Sequence, residues 1–204
     1  EFTKKGDYAS MNYHDSILLP LLQRALQQKS LSPRLFILHT MGSHVNFEAR
    51  LEHPIHFDYY NRKLSAYIQT IEQTDTLLKG IYEALQREGA PFSMLYFSDH
   101  GLMTQDRASM FASLTHGDTS PNKACYRVPF VLLSSDDAAH KVLKVNKSAF
   151  YFLDGLAQWL GIQEASLRPN YDFRSTESDT LKVFNQYENV PFDGLKEDEI
   201  VTSD

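Results

Sequence analysis

Five residues in three short segments carry the chemistry this sequence could perform. "HTMGSH" holds His39 and His44, "SDHG" holds Asp99 and His100, and "LTHGD" holds His116. A carboxylate oxygen beside an imidazole nitrogen is a suitable donor pair for zinc, and a tetrahedral site needs only one or two more ligands. A metal held there would polarise a phosphoryl or sulfuryl oxygen and lower the pKa of a bound nucleophile. Histidines nearby would bind anionic oxygens or act as acid and base. Taken singly, an Asp-His pair at a strand end is an ordinary loop start, and the HxxxxH spacing is not specific. Three His-bearing segments, each beside a glycine, are a better argument for one shared site.

Such a site needs elements that bring the segments to one rim. "RLFILHT" (34–40), "SMLYFS" (93–98) and "VPFVLLSS" (128–135) are short apolar runs of the kind that form buried strands. "NYHDSILLPLLQRALQQKS" (12–30) reads as a helix, with Asp15 as N-cap and Pro20 in its first turn. Residues 61–89 read as the clearest helix. There Leu64, Tyr67, Ile68, Ile71, Leu78, Ile81 and Leu85 follow the helical template, and Gly89 sits at a C-cap. Residues 148–161 form a third helix, stopped by Gly161. Residues 101–124 read as a long polar loop, 180–192 as an edge strand, and 197–204 as a frayed acidic end. The alternation predicts an α/β fold, a mostly parallel sheet with helices on both faces. Ligands gather at the carboxyl ends of strands in such sheets, where Asp99 and His100 fall.

The remaining composition is restrictive rather than suggestive. The 204 residues are 42% hydrophobic and 12% aromatic, enough for a sizeable core, and 23% charged. A net charge of −6 argues against a nucleic-acid partner. No run approaches a membrane span, and no signal peptide is visible. The single cysteine, Cys125, reads as a packed small residue. His53 and His56 of "HPIH" lie in a proline-containing loop and read as surface groups, as do His14 and His140. The chain opens Glu-Phe-Thr without Met, which reads as a piece of a longer protein.

The motifs in their order resemble the sulfatase-like branch of the alkaline phosphatase superfamily, and within it the bacterial phosphoethanolamine transferases. That family reads HxxGSH after a strand, a helix with a YDNxxxxTD-like pattern, a strand ending SDHGE, then LHG, then a VP-containing strand. This chain has "HTMGSH" (39–44), "YIQTIEQTD" (67–75), "YFSDHG" (96–101), "LTHG" (114–117) and "RVPFVLLSSD" (127–136). The likeness runs from about residue 12 to 165. It implies zinc ligation by Asp99 and His100. It also implies that His39, His44 and His116 lie near the transferred phosphate, binding substrate or a second zinc. Departures exist: Leu102 stands where the family has Glu, Ile68 and Gln69 replace Asp and Asn, and His116 follows His100 by 16 residues, a longer gap than usual. Nothing before residue 39 matches the family's nucleophilic Thr.

The resemblance implies that residues 1–204 are the C-terminal portion of a sulfatase-like catalytic domain, incomplete as a fold, with 166–204 a polar extension. The implied activity is transfer of phosphoethanolamine from phosphatidylethanolamine to lipopolysaccharide or another envelope glycan. The implied partners are a phospholipid donor and a lipid A or glycan acceptor. The implied location is the inner membrane, anchored by an N-terminal region outside this chain, with the catalytic domain facing the periplasm. Two alternatives stay open. One is a sulfatase or phosphodiesterase of the same fold; the other is a non-catalytic anion- or glycan-binding remnant. The isolated chain is expected to show little turnover.

Overall fold

A computed structural model describes residues 14–105, 113–116, 121–185 and 187–198. A 3-10 turn, Asp15–Ile17, runs directly into α1, Leu18–Leu26. Pro20 falls in the first turn of α1, where its missing N–H is one of the helix's unpaired donors. The C-terminal carbonyls of α1 are satisfied from outside the helix. Arg34 donates from Nη1 to the carbonyls of Ala25 (2.7 Å) and Gln28 (2.8 Å), and from Nη2 to Leu26 (3.2 Å). A cation at this end also meets the negative pole of the helix dipole.

α2, Arg62–Glu88, begins and ends where its sequence signals place it. The Asn61 side chain accepts from the Leu64 N–H at 2.9 Å, and Gly89 turns the chain out at φ 67°. Its buried stripe departs from the expected one. Leu64, Ala66, Leu77, Ile81 and Ala84 are buried together with Gln69 and Thr70, while Ile71 is 47% exposed. The reason is what this face covers. The first half of α2 packs on irregular chain whose backbone groups need partners, so polar side chains are useful there. Gln69 donates from Nε2 to the carbonyls of His53 and Pro54 and accepts from the His56 N–H. Gln73 likewise accepts from the Glu52 N–H and donates to the Arg50 carbonyl. The second half of α2 is conventional: Leu77, Ile81 and Ala84 join Leu22 and Leu26 of α1 in one apolar cluster, with Leu38 and Met94 against it.

β1, Ser93–Phe97, follows α2. The region read as a polar loop contains two short strands, β2, Met103–Gln105, and β3, Ser113–Thr115, paired antiparallel with Met103 opposite Thr115. β4, Phe130–Ser134, pairs antiparallel with β1, Phe97 opposite Phe130 and Ser93 opposite Ser134. α3, Phe152–Leu160, follows a 3-10 turn and stops at Gly161, φ 71°. The expected edge strand is a hairpin of β5, Lys182–Phe184, and β6, Asn189–Pro191.

Two expectations are corrected among the described residues. Every strand pair is antiparallel, so the mostly parallel sheet is not displayed. The run 34–40 has no ladder partner; Leu35, Phe36 and Ile37 are 54%, 37% and 82% exposed. Its apolar character marks a segment built to be covered; Arg34 ties its start to the α1 carbonyls, but among the described residues no strand pairs along it. No helix among the described residues is long and apolar enough to cross a membrane.

Candidate functional site

Where β1 ends, local hydrogen bonds curl the chain. Ser98 Oγ donates to the His100 carbonyl at 2.9 Å, and the His100 N–H donates to Asp99 Oδ1 at 3.0 Å. Gly101 then passes under the turn Lys123–Cys125. Its N–H donates to the Cys125 carbonyl at 2.8 Å, and a Cβ there would lie 2.0 Å from the Ala124 carbonyl oxygen and 2.9 Å from that of Arg127. Only glycine permits that approach. The Gly101 carbonyl faces His100 Nδ1 at 2.9 Å. A carbonyl can only accept, so Nδ1 carries the proton. Nε2 is thereby left as the nitrogen able to accept or coordinate, 3.9 Å from Asp99 Oδ1.

The pairing of β2 with β3 returns the chain so that His116 arrives beside this turn. The His100 and His116 rings stack, centroids 3.6 Å apart and planes 16° from parallel. Burial, and then His100, hold the His116 imidazole below its ordinary pKa, against opposing contributions from Asp99 and the Gly101 carbonyl. That favours the neutral, coordinating form. The donor chemistry therefore suits zinc. Two bonds of about 2.1 Å span at most about 4.2 Å, which brings Asp99 Oδ1 and His100 Nε2 within reach of one ion. The set is not closed: among the described residues, no group of three or more His, Cys, Asp or Glu is arranged to hold a metal.

His39 and His44 are exposed, and among the described residues no hydrogen bond or ring contact joins them to Asp99, His100 or His116. Their loop is nevertheless firmly placed. Asp15 is not a cap of its own helix; its carboxylate accepts from the backbone N–H groups of Met41 (3.0 Å) and Gly42 (2.7 Å). Thr70 Oγ1, buried in α2, donates to the Tyr67 carbonyl at 2.6 Å and lies 2.9 Å from Ser43 Oγ. Burial, and then the Asp15 charge, raise the Tyr96 hydroxyl above the ordinary phenol range, which puts Asp15 within electrostatic reach of β1. The structure thus gathers Asp99, His100 and His116, and sets the 39–44 loop on a separate support.

Sequence reasoning missed a second support, in the segment read as a frayed end. Asp198 accepts from the Thr104 N–H and Oγ1, both at 3.0 Å, and from Asn122 Nδ2 at 2.8 Å. Glu197 pairs with Lys123 at 2.8 Å and Arg127 at 2.7 Å. Hydrogen bonds from those two cations hold its carboxyl below the ordinary range. These acids clasp the turn that covers Gly101. Residues 199–204 lie outside the described residues. An acid run reads as solvated when the basic partners are some 70 positions away, so no local signal reveals the clasp.

A phosphoethanolamine transferase of Escherichia coli K12, OpgE, is 37% identical over 175 residues, which is 85% of this chain and 33% of that protein. A putative phosphoethanolamine transferase of Haemophilus influenzae is 36% identical over 115 residues, 51% of this chain and 24% of that protein. The chain therefore spans about a third or less of the curated relatives it matches. The crystal structure of the C-terminal periplasmic domain of EcEptC from Escherichia coli superposes with a TM-score of 0.68 at 17% identity. That match covers 90% of this chain and 59% of that one, and supports an alkaline phosphatase-like fold. The sulfatase family pattern matches residues 1–162, and the chain accordingly belongs to the sulfatase family.

Proposed function

We propose that this chain contributes the Asp-His side of the catalytic site of a zinc-dependent phosphoethanolamine transferase. The single observation carrying the reading is the convergence of Asp99, His100 and His116 at the end of β1. The similarity to proteins named phosphoethanolamine transferases supports the class of reaction. Asp99 and His100 are the residues that would hold zinc, which when bound supplies Lewis-acid activation of a phosphoryl oxygen and its nucleophile. His116, kept neutral and stacked on His100, positions that ring and is available to a phosphate oxygen. His39 and His44, on the loop anchored by Asp15 and Thr70, are the residues assigned to the transferred phosphate and its leaving group. The donor in this reading is phosphatidylethanolamine and the acceptor lipopolysaccharide or another envelope glycan. The reaction takes place in the periplasm, with the whole protein held at the inner membrane.

The test is transfer from a labelled lipid donor by the full-length protein that contains this chain. Asp99→Ala is expected to abolish transfer, and undiminished transfer would remove the assignment. Label recovered in water-soluble phosphoethanolamine, with none on an acceptor, would instead identify a phosphodiesterase of the same fold.

A further inference from the structure

The two imidazoles of the candidate site arrive on separate arms of the chain. His100 is set by Gly101, whose N–H donates to the Cys125 carbonyl at 2.8 Å beneath the turn Lys123–Cys125. His116 is set by the pairing of β3 with β2, in which Thr104 stands opposite Leu114. That ladder has three residues on each strand and is separate from the β1–β4 pair. A two-stranded hairpin of this size is marginal on its own. Stacking the rings, with centroids 3.6 Å apart, therefore requires that the hairpin be fixed against the turn.

Asp198 is bonded to both. Its Oδ2 accepts from the N–H and Oγ1 of Thr104 on β2, each at 3.0 Å. Its Oδ1 accepts from Asn122 Nδ2 at 2.8 Å, and Asn122 Oδ1 in turn caps the turn Lys123–Cys125 by accepting from the Ala124 N–H at 2.9 Å. Thr104 and Asn122 are 8% and 6% exposed, so the donors Asp198 serves have little access to water. Bonds to an ionised acceptor are stronger than neutral ones, and a buried donor that loses its acceptor bears its full desolvation cost. The neighbouring acid does something different. Glu197 meets Lys123 and Arg127, but its side chain is 57% exposed, and ion pairs so open are weak and screened by salt. Glu197 holds the surface of one arm, whereas Asp198 holds the buried sides of both.

We infer that Asp198 is a positioning residue for the His100–His116 pair: one carboxylate, through its two oxygens, locks the β2–β3 hairpin to the turn over Gly101 and so sets the two rings face to face. It acts through Thr104 and Asn122. Its bearing on catalysis rests on the proposed zinc site, whereas the placement of the rings does not.

The experiment uses the full-length protein that contains this chain, metal-free and isotope-labelled at histidine. It reads the nuclear Overhauser contacts between the His100 and His116 rings and the exchange of the Gly101 amide hydrogen. Asp198→Ala is expected to lose the ring contacts and to speed Gly101 exchange on the order of tenfold, as a local opening does. Titration with zinc alone is expected to show affinity lowered on the order of tenfold, the scale of losses from groups that orient ligands. Leu77→Ala, in the apolar cluster of α1 and α2, is the comparison for a merely structural effect. It is expected to lower the urea midpoint at least as far while leaving the ring contacts and zinc affinity as in wild type. Glu197→Gln is expected to keep the ring contacts. Should Asp198→Ala fail to fold, Asp198→Asn serves: its amide has one acceptor oxygen in place of two, so it holds one arm only, and weakened ring contacts in a folded protein are expected. The ring contacts decide the inference whether or not zinc binds. It is overturned if they are missing from wild type, if the Asp198 variant keeps them in full, or if Leu77→Ala or Glu197→Gln loses them to the same degree. Undiminished transfer in Asp99→Ala would remove the transferase reading and leave this inference standing.

Discussion

The imidazoles of His100 and His116 lie face to face, centroids 3.6 Å apart. Two protonated rings at that distance would repel, in keeping with the lowered pKa of His116. Calorimetric titration of zinc is expected to show binding that His100→Ala weakens tenfold or more, roughly the scale of ligand and supporting-shell losses. His116→Phe keeps a ring in the stack. It is expected to preserve stability within about 1 kcal/mol while still lowering zinc affinity. Unchanged affinity in His116→Phe would reduce His116 to a packing role.

Gly101→Ala should be the most damaging small substitution in the chain. The added methyl meets two backbone oxygens, which cannot swing aside as a side chain would. A loss of about 2–3 kcal/mol in urea unfolding is expected, with the turn Lys123–Cys125 displaced and zinc affinity reduced in parallel. Wild-type stability in the variant would mean that the turn yields easily, and the rigid placement of His100 would go with it.

Asp15→Ala removes an acceptor shared by two backbone donors. Charge-assisted bonds of this kind are worth about 1.5–3 kcal/mol each, and their loss leaves Met41 and Gly42 unpaired. The 39–44 loop is expected to exchange its amide hydrogens faster in the variant. The Tyr96 hydroxyl should ionise at lower pH, because one of the two influences raising it is gone. Ultraviolet titration of the phenols measures that shift, and an unmoved Tyr96 would contradict the proximity.

Asp179 Oδ2 accepts from the Tyr171 hydroxyl at 2.5 Å and from the Ser148 N–H at 2.7 Å, joining the polar C-terminal stretch to the start of α3. Burial first, then the Asp179 bond, raise the Tyr171 pKa well above the ordinary phenol value. The folded chain therefore keeps a proton that the unfolded chain releases near pH about 10. This contribution to stability is whole below that pH and declines as pH climbs above it. Urea midpoints taken from about pH 8 to about pH 11 should fall more steeply for wild type than for Tyr171→Phe. Parallel curves would exclude the Tyr171–Asp179 bond as the cause.

The legible parts of this fold are those whose signals are local. The helical pattern and the Gly89 stop placed α2 to within a residue at each end, and the apolar runs at 93–98 and 128–135 both form strands. Ile71, by contrast, is periodic yet exposed, and Gln69 is polar yet 1% exposed. The face of α2 is chosen by the loop it supports, which periodicity does not encode. The neighbourhood of Asp99, His100 and His116 was readable from strand ends and glycines. Asp198 was not, since an acid in a polar tail looks solvated until its partners are seen. Strand direction was equally hidden, because β1 and β4 carry the same apolar signature whichever way they run.

The clasp by Glu197 and Asp198 also has a consequence for the order of events in synthesis. Thr104 and its partner Asp198 are separated by 94 positions, and Asn122 and Asp198 by 76. Contacts so distant along the chain close late, since their loop entropy must be met before they give any return. α1 and α2 are assembled from near neighbours and can consolidate while the ribosome is still translating the strands. The turn over Gly101 has to wait until residues 196–198 have emerged. A nascent chain stalled before that point would carry a folded scaffold with an unset His100, so the placement of that ring waits on residues far along the chain from it.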